Sequence, residues 1–307
     1  MWTYIVRRLL IVVPVMLGVA FMVFSAMYLI PGDAVDAMLR DTGATAEAMA
    51  RLRAQMGLDQ PFHVQFLRFL GVLTSGDLGR SLVTGRSVSD QIASQLPATI
   101  ELTLAALVIA VLIGIPLGVV AALRRGSWID TSSMVVALVG VSMPNFWLGL
   151  LFILFFSLQL GWFPASGTGG WRYLVLPAFT LGFSGVAIIA RITRSSLLEV
   201  INADYVRTAH SKGLKPRTVV LKHAMRNSMA SVMTVVGLQF GALLGGSVVV
   251  ETVFGRQGLG SLTVGAIQRA DLPVVQATVM LAALAFVLVN LLVDVSYSLL
   301  DPRIRYG

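Results

Sequence analysis

Cysteine is absent from the 307 residues, which excludes disulfides, thiolate metal sites, iron–sulfur clusters and a cysteine nucleophile together. Charge is scarce too, since only 12% of residues are Asp, Glu, Lys or Arg while 56% are hydrophobic. That is more apolar surface than one water-soluble core of this length needs, and a membrane solvent accounts for it. The only lysines are Lys212, Lys215 and Lys222, and none follows a glycine. There is therefore no Gly-x-x-x-x-Gly-Lys-Ser/Thr phosphate loop, and the chain is not expected to hydrolyse ATP by itself. Gly255, Gly258 and Gly260 have the wrong spacing for a dinucleotide fingerprint and fit an outer loop better.

What is present in quantity is long apolar runs. A helix rises about 1.5 Å per residue and the hydrocarbon layer is about 30 Å thick, so about 20 apolar residues make one crossing. Six segments qualify: Leu9–Ile30, Leu102–Leu123, Met134–Leu158, Leu174–Ile192, Met229–Val250 and Val274–Leu300. Lipid offers no partners for backbone groups, so these are expected as helices. The first follows Arg7 and Arg8 as a signal peptide would. It is long, though, and lacks a small-x-small cleavage site before Pro31-Gly32, so a retained first helix is expected.

The formal charge of +8 would suggest a nucleic-acid or anionic partner if it sat on a soluble domain. Its placement says otherwise. With the N-terminus inside, fourteen basic residues fall inside: Arg7, Arg8, Arg124, Arg125, Arg191, Arg194, Arg207, Lys212, Lys215, Arg217, Lys222, Arg226, Arg303 and Arg305. Five acids accompany them, giving +9 inside; nine arginines and ten acids outside give −1. Positive flanks are retained on the cytoplasmic side, so both termini are expected in the cytoplasm. The segment between the first two spans carries six of the outer arginines and is expected as a small external cap, with helical patterns around Thr45–Met56 and Pro61–Leu73.

The longest inner loop, Arg191–Asn227, reads as two short helices. Asp204 is suited to cap the first, Tyr205–Ser211, and Gly213 supplies the left-handed residue past its end. Pro216 suits the first turn of a second, whose Val219, Val220 and Ala224 can pack while Arg217, Lys222 and Arg226 stay wet. By itself such a loop is as readily a solvated connector as a functional element.

Residue order adds to this. Asp204-Tyr205-Val206-Arg207-Thr208-Ala209, Lys212-Gly213-Leu214 and His223-Ala224-Met225-Arg226-Asn227 resemble the cytoplasmic "EAA" loop of permease subunits of binding-protein-dependent ABC importers, in the form used by the dipeptide/oligopeptide/nickel branch. Other landmarks are Ile30-Pro31-Gly32-Asp33, Gly57-Leu58-Asp59-Gln60-Pro61, Gly76-Asp77-Leu78-Gly79, Glu251-Thr252-Val253-Phe254 with Gly258-Leu259-Gly260, and Asp301-Pro302-Arg303-Ile304-Arg305-Tyr306. The wording is nearest to the dipeptide and glutathione permeases around Gly237–Gly241 and Gly245–Glu251. Ser231 departs from the family by standing where a proline is common.

The resemblance implies an all-α integral membrane protein with six transmembrane helices in the type I ABC importer permease fold. Its parts would be residues 1–30 (arm and first helix), 31–96 (external region), 97–300 (permease core with coupling loop 191–227) and 301–307 (cytoplasmic tail). It implies a multi-pass protein of the bacterial inner membrane, partnered by a second permease, two cytoplasmic ATPases and an external solute-binding protein, and surrounded by lipid. ATP and magnesium would be bound on the ATPases and no cofactor here. Asp204, Tyr205, Arg207, Thr208, Ala209, Lys212 and Gly213 would form the ATPase-coupling surface, with Ala209 and Gly213 permitting close approach. The implied cargo is a dipeptide, oligopeptide or glutathione. Nickel belongs to the branch, but no metal-ligand cluster within the spans supports it.

Two rivals are weighed against this. An intramembrane protease needs a buried Ser–His pair, a zinc motif or two aspartates, and the spans offer only Asp294, near the inner end of the last one. An ion-coupled secondary transporter could use Pro116, Pro144-Asn145, Pro177, Gln239 and Asn290 as interrupted helices and midplane polar groups. Those residues, with Gly237, Gly241, Gly245 and Gly246, also suit ordinary helix packing. Asn145, Gln239 and Asn290 are the candidates for a translocation path.

Overall fold

Helices satisfy the backbone demand of lipid within each segment, and the chain uses them nearly throughout. The computed structural model describes residues 2–29, 35 and 45–300. The Ile30–Asp33 landmark, the tail from Asp301 with Arg303 and Arg305, and the side chain of Asp294 lie outside the described residues. In chain order the helices are α1 (Trp2–Leu29), α2 (Ala46–Met56), α3 (Phe62–Ser75), α4 (Val88–Leu123), α5 (Trp128–Ser142), α6 (Asn145–Phe152, continuing as a π-helical stretch Ile153–Gln159), α7 (Arg172–Ile201), α8 (Asp204–Ser211), α9 (Pro216–Val253), α10 (Leu259–Gln268) and α11 (Leu272–Leu300). Among the described residues the only β pairing is an isolated bridge between Arg80 and Ser87.

Five of these helices are long and apolar enough to cross a membrane, and the α5–α6 pair would make a sixth. The expected span Met134–Leu158 is broken at the Pro144-Asn145 interruption, with its halves bent by 107°. The cause is local. Pro144 has no N–H to donate and disfavours helical backbone in the residue before it, so Met143 is extended at φ −80°, ψ 126° and the helix restarts at Asn145. Each half has 15 residues, about 22 Å of helix, so neither spans the hydrocarbon layer alone. The other spans run past their apolar windows: α4 starts at Val88 rather than Leu102, α7 ends at Ile201 rather than Ile192, and α9 begins at Pro216 rather than Met229.

The chain divides into two compact units. One comprises Met1–Thr99 and Gln257–Leu288. In it Thr45 caps α2 by accepting from Ala48 N–H at 3.3 Å, and Glu47 pairs with Arg51 one turn on. Phe62, Phe66 and Phe69, spaced to share one face of α3, pack on Phe21, Phe24 and Tyr28 of α1. The expected helical patterns thus hold, with Thr45 and Pro61 as caps. The buried Asp271 carboxylate accepts from the Ser81 hydroxyl and from Leu82 N–H at 3.1 Å, which pins the turn between Arg80 and Ser87.

The second unit comprises Ile100–Arg256 and the chain from Val289. Its seam is a row of small residues every fourth position on α4: Ala106, Ala110, Gly114, Gly118 and Ala122, all buried. Such a row lets helix backbones approach. A Cβ on Gly118 would lie 2.4 Å from the Ala190 carbonyl oxygen of α7, one on Gly114 2.9 Å from that of Val186, and one on Gly182 2.6 Å from that of Ala106 on α4. Gly246 likewise meets Leu181 of α7, whereas a Cβ on Gly245 would meet nothing within 4 Å among the described residues.

Candidate functional site

The short helix α8 has two faces. Val206 and Ala209, three residues apart, are 1% and 6% exposed, and join Ala122, Leu197, Val219 and Ala224 in one apolar cluster. The other face presents Asp204, Tyr205, Arg207 and Thr208 to solvent, with Lys212 and Gly213 following. Five of these six polar-face residues have side chains, and none of those is buried. Ala209 lies on the opposite side, packed into this chain's own apolar cluster.

Both ends of α8 have a backbone explanation. The N-cap is Ala203, in extended conformation, and Asp204 occupies the first helical position, so the side-chain cap expected of Asp204 is not formed. As an acid in the first turn, Asp204 still complements the helix dipole. At the other end Gly213 takes φ +75°, its N–H donates to the His210 carbonyl at 2.9 Å, and Leu214 N–H donates to that of Ala209 at 3.4 Å. That pair of bonds closes the helix in the manner that glycine permits. Pro216 then opens α9 as expected, whose Val219 and Ala224 are buried while Arg217, Lys222 and Arg226 remain exposed.

Next to this cluster lies an ion pair that hydropathy could not reveal. Arg194 of α7 donates from Nε to Asp130 Oδ1 at 2.6 Å and from Nη2 to Oδ2 at 2.8 Å, and Gly126 N–H donates to Oδ2 at 3.0 Å. Asp130 sits in the first turn of α5, whose N-cap is Ser127. A second ion pair, Arg256 with Glu101, joins the end of α9 to α4. Both acids had shown only as charges on a loop side, because the partners are 64 and 155 residues away.

Asn145 and Gln239 converge on α9 and its neighbours. Gln239 Nε2 lies 3.3 Å from where a Cβ on Gly185 would be, and Asn145 Nδ2 lies 3.5 Å from where one on Gly246 would be. Gln239 and Gly246 are seven residues apart, so the two amides stand about two helical turns apart along one side of α9. Asn290, also half-buried, is on α11. Inside the elbow of α5 and α6 opens a wholly apolar cavity of about 500 Å³, lined among others by Val139, Met143, Leu151, Phe155 and Phe183. No group of three or more His, Cys, Asp or Glu among the described residues could hold a metal ion.

Comparison with known proteins agrees with this architecture. Residues 114–306 match the family described as "Binding-protein-dependent transport system inner membrane component", and residues 1–103 match its N-terminal companion. The chain is 46% identical, over 306 residues and the full length of both proteins, to the glutathione transport system permease protein GsiC of Salmonella paratyphi A, and 44% identical over the same span to GsiC of Escherichia coli K12. Among solved structures it resembles an inward-facing MetNI methionine ABC transporter, with a TM-score of 0.59 at 20% identity, covering 69% of this chain and 96% of that one. The fold is thus that of the type I importer permeases. The chain belongs to the family of binding-protein-dependent transport system inner membrane components, as a multi-pass, non-catalytic ABC importer permease.

Proposed function

We propose that this chain forms half of the membrane path of an ABC importer for small peptides, with glutathione as the leading cargo. The observation that carries the cargo class is the 44–46% identity, along the whole chain, to permeases named for glutathione transport. The partners are a second homologous permease, two cytoplasmic ATPases that bind ATP and magnesium, and an extracytoplasmic solute-binding protein. Both termini lie in the cytoplasm, a reading supported by the +9 and −1 charge balance. The division at residues 30, 96 and 300 belongs to the same reading, and the two family matches, which end at 103 and begin at 114, support the second boundary in outline.

In this reading α8 is the element that the ATPases grip. Tyr205, Arg207, Thr208 and Lys212 make the contact, Asp204 steadies the first turn, and Gly213 fixes the exit of the chain. Closure of the ATPases on ATP would push α8 and, through the apolar cluster under it, the ends of α4, α7 and α9, a rigid-body coupling between sites. Asn145, Gln239 and Asn290 are the polar groups offered to cargo inside.

The test is reconstitution of the chain with its partners in liposomes and measurement of radiolabelled glutathione uptake beside dipeptides and nickel. Uptake that needs both ATP and the binding protein, and that prefers glutathione, is expected. Uptake by this chain alone, driven by an imposed ion gradient without ATP, would show a secondary transporter instead.

A further inference from the structure

Three parts of the permease core meet at one carboxylate. Asp130 uses both oxygens: Arg194 on α7 takes one bond to each, and the turn between α4 and α5 adds Gly126 N–H. Arg194 stands one turn before Leu197, which is fully buried in the cluster beneath α8, and Ala122 of that cluster lies in the last turn of α4, just before the loop that carries Gly126. The pair is therefore the polar edge of the platform on which α8 rests.

A two-point guanidinium–carboxylate fork constrains rotation as well as distance, where an apolar contact would let a helix slide. Its carboxylate side chain is only 7% exposed, so separating the pair would strand a charge away from water. Farther along, α5 lies against α7 where Gly140 leaves room for Phe183 and Ala187, 3.1 and 3.4 Å from the place its Cβ would occupy. Beyond that contact comes the elbow.

We propose that the Asp130–Arg194 pair is a positioning link that makes α5, and with it the elbow at Met143-Pro144, follow the platform under α8 during transport. This rests on the reading of α8 as the ATPase-docking helix. Neither residue touches cargo or nucleotide in this role; they act by holding α5 to α7.

Because the chain has no cysteine, introduced cysteines would be its only labelling sites. In the assembled complex in lipid nanodiscs, one spin-label pair at Ser132 on α5 and Met233 on α9 reports the elbow helix. A second pair at Ser211 and Met233 reports α8; all three positions are exposed. Both distances are expected to change on addition of ATP and vanadate. In Asp130→Asn the Ser211 change should persist while the Ser132 change is lost, and ATP hydrolysed per radiolabelled glutathione imported should rise about fivefold or more. The exchanged pair, Asp130→Arg with Arg194→Asp, should restore the Ser132 change. An Asp130→Asn complex whose Ser132 distance still responds overturns the proposal. If that variant does not assemble, the exchanged pair decides: assembly with the Ser132 response supports the link, and failure of either overturns it. Should neither label pair move in the unsubstituted complex, the docking role of α8 falls first and the link with it.

Discussion

Replacing Gly118 with alanine adds one methyl group at the tightest point of the α4–α7 seam. That Cβ would sit 2.4 Å from the Ala190 carbonyl oxygen and 2.6 Å from Thr193 Cβ, against ordinary contact of 3.4 Å or more, so the helices must part by about 1 Å. The obstacle is helix backbone, which cannot swing aside as a long side chain would. A gap of that size forfeits a quarter to a half of each dispersion contact along the seam, and the sum falls in the usual overpacking range of about 1–3 kcal/mol. At about 2.1 cal/mol/K of unfolding entropy per residue, each kcal/mol is worth about 1.5 °C in melting temperature for 307 residues, so a drop of roughly 1.5–5 °C is expected. Gly245→Ala supplies the control with opposite sign, since nothing lies within 4 Å of its Cβ position and alanine is favoured over glycine in a helix by about 0.8–1 kcal/mol. The assay is a heating series on the purified complex in detergent, scored by the fraction that remains assembled. If Gly118→Ala survives to the same temperature as Gly245→Ala, the close α4–α7 approach is wrong.

Gly213→Ala meets no steric obstacle, because nothing lies within 4 Å, so its cost is the left-handed backbone alone, about 1–2 kcal/mol. Amide hydrogen exchange across Asp204–Ser211 should accelerate about 5- to 30-fold, and unchanged exchange would mean that the glycine turn does not hold the end of α8. Asp271→Ala removes the acceptor of both the Ser81 hydroxyl and Leu82 N–H. Trypsin should then cut at Arg80 and Arg86 about tenfold faster, as expected for an opening eased by about 1.4 kcal/mol, and an unaltered digestion rate refutes the pin.

Much of this architecture could be read from local chemistry. Thr45 and Gly57 bracket α2, and Gly213 and Pro216 bracket the turn after α8, whereas the buried face of Val206 and Ala209 emerges only from the packing, the resemblance having put Ala209 on the coupling surface. Hydropathy misjudged the lengths, because hydrogen bonding continues through polar residues: Val88–Glu101 extends α4, and Arg191–Ile201 extends α7. Asp204 looked like a cap, yet Ala203 takes the place, since an extended backbone there suffices without a side-chain bond. Met143-Pro144 announced a break but not its angle. Packing accompanies that angle on either side of the proline, with Gly140 against Phe183 and Gly149 against Phe254. Gly255, Gly258 and Gly260 fit an outer loop by spacing, yet Gly258 is the N-cap of α10 and Gly260 lies in its first turn. Polar pairs between residues 64, 155 and 190 positions apart, as in the ion pairs Arg194–Asp130 and Arg256–Glu101 and the Ser81–Asp271 hydrogen bond, leave no trace in local pattern.

A transport subunit that performs no chemistry must be stiff along the line that carries force and pliable where the path changes shape. The α4–α7 seam meets the first need, since helices touching through Gly114, Gly118 and Gly182 cannot slide without lifting over a backbone carbonyl. The elbow meets the second. Around Met143-Pro144 one backbone hydrogen bond is already forgone, and a half-open apolar cavity of about 500 Å³ lies in the crook of the angle. The close contacts flank the bend at Gly140 and Gly149 and leave Met143-Pro144 between them, so a change of angle there moves Asn145, the first helical residue past the bend, relative to the Gln239 side of α9. On the proposed role of α8, force entering through Val206 and Ala209 would travel along α4 and α7 as one body and be released as bending at the elbow. That predicts an asymmetry among substitutions: enlarging a seam glycine should lower the stability of the complex, whereas Pro144→Ala should leave stability nearly unchanged and reduce the ATP-driven change in distance between labels on α5 and α6. Equal losses of stability in both would mean that elbow and seam are one rigid block.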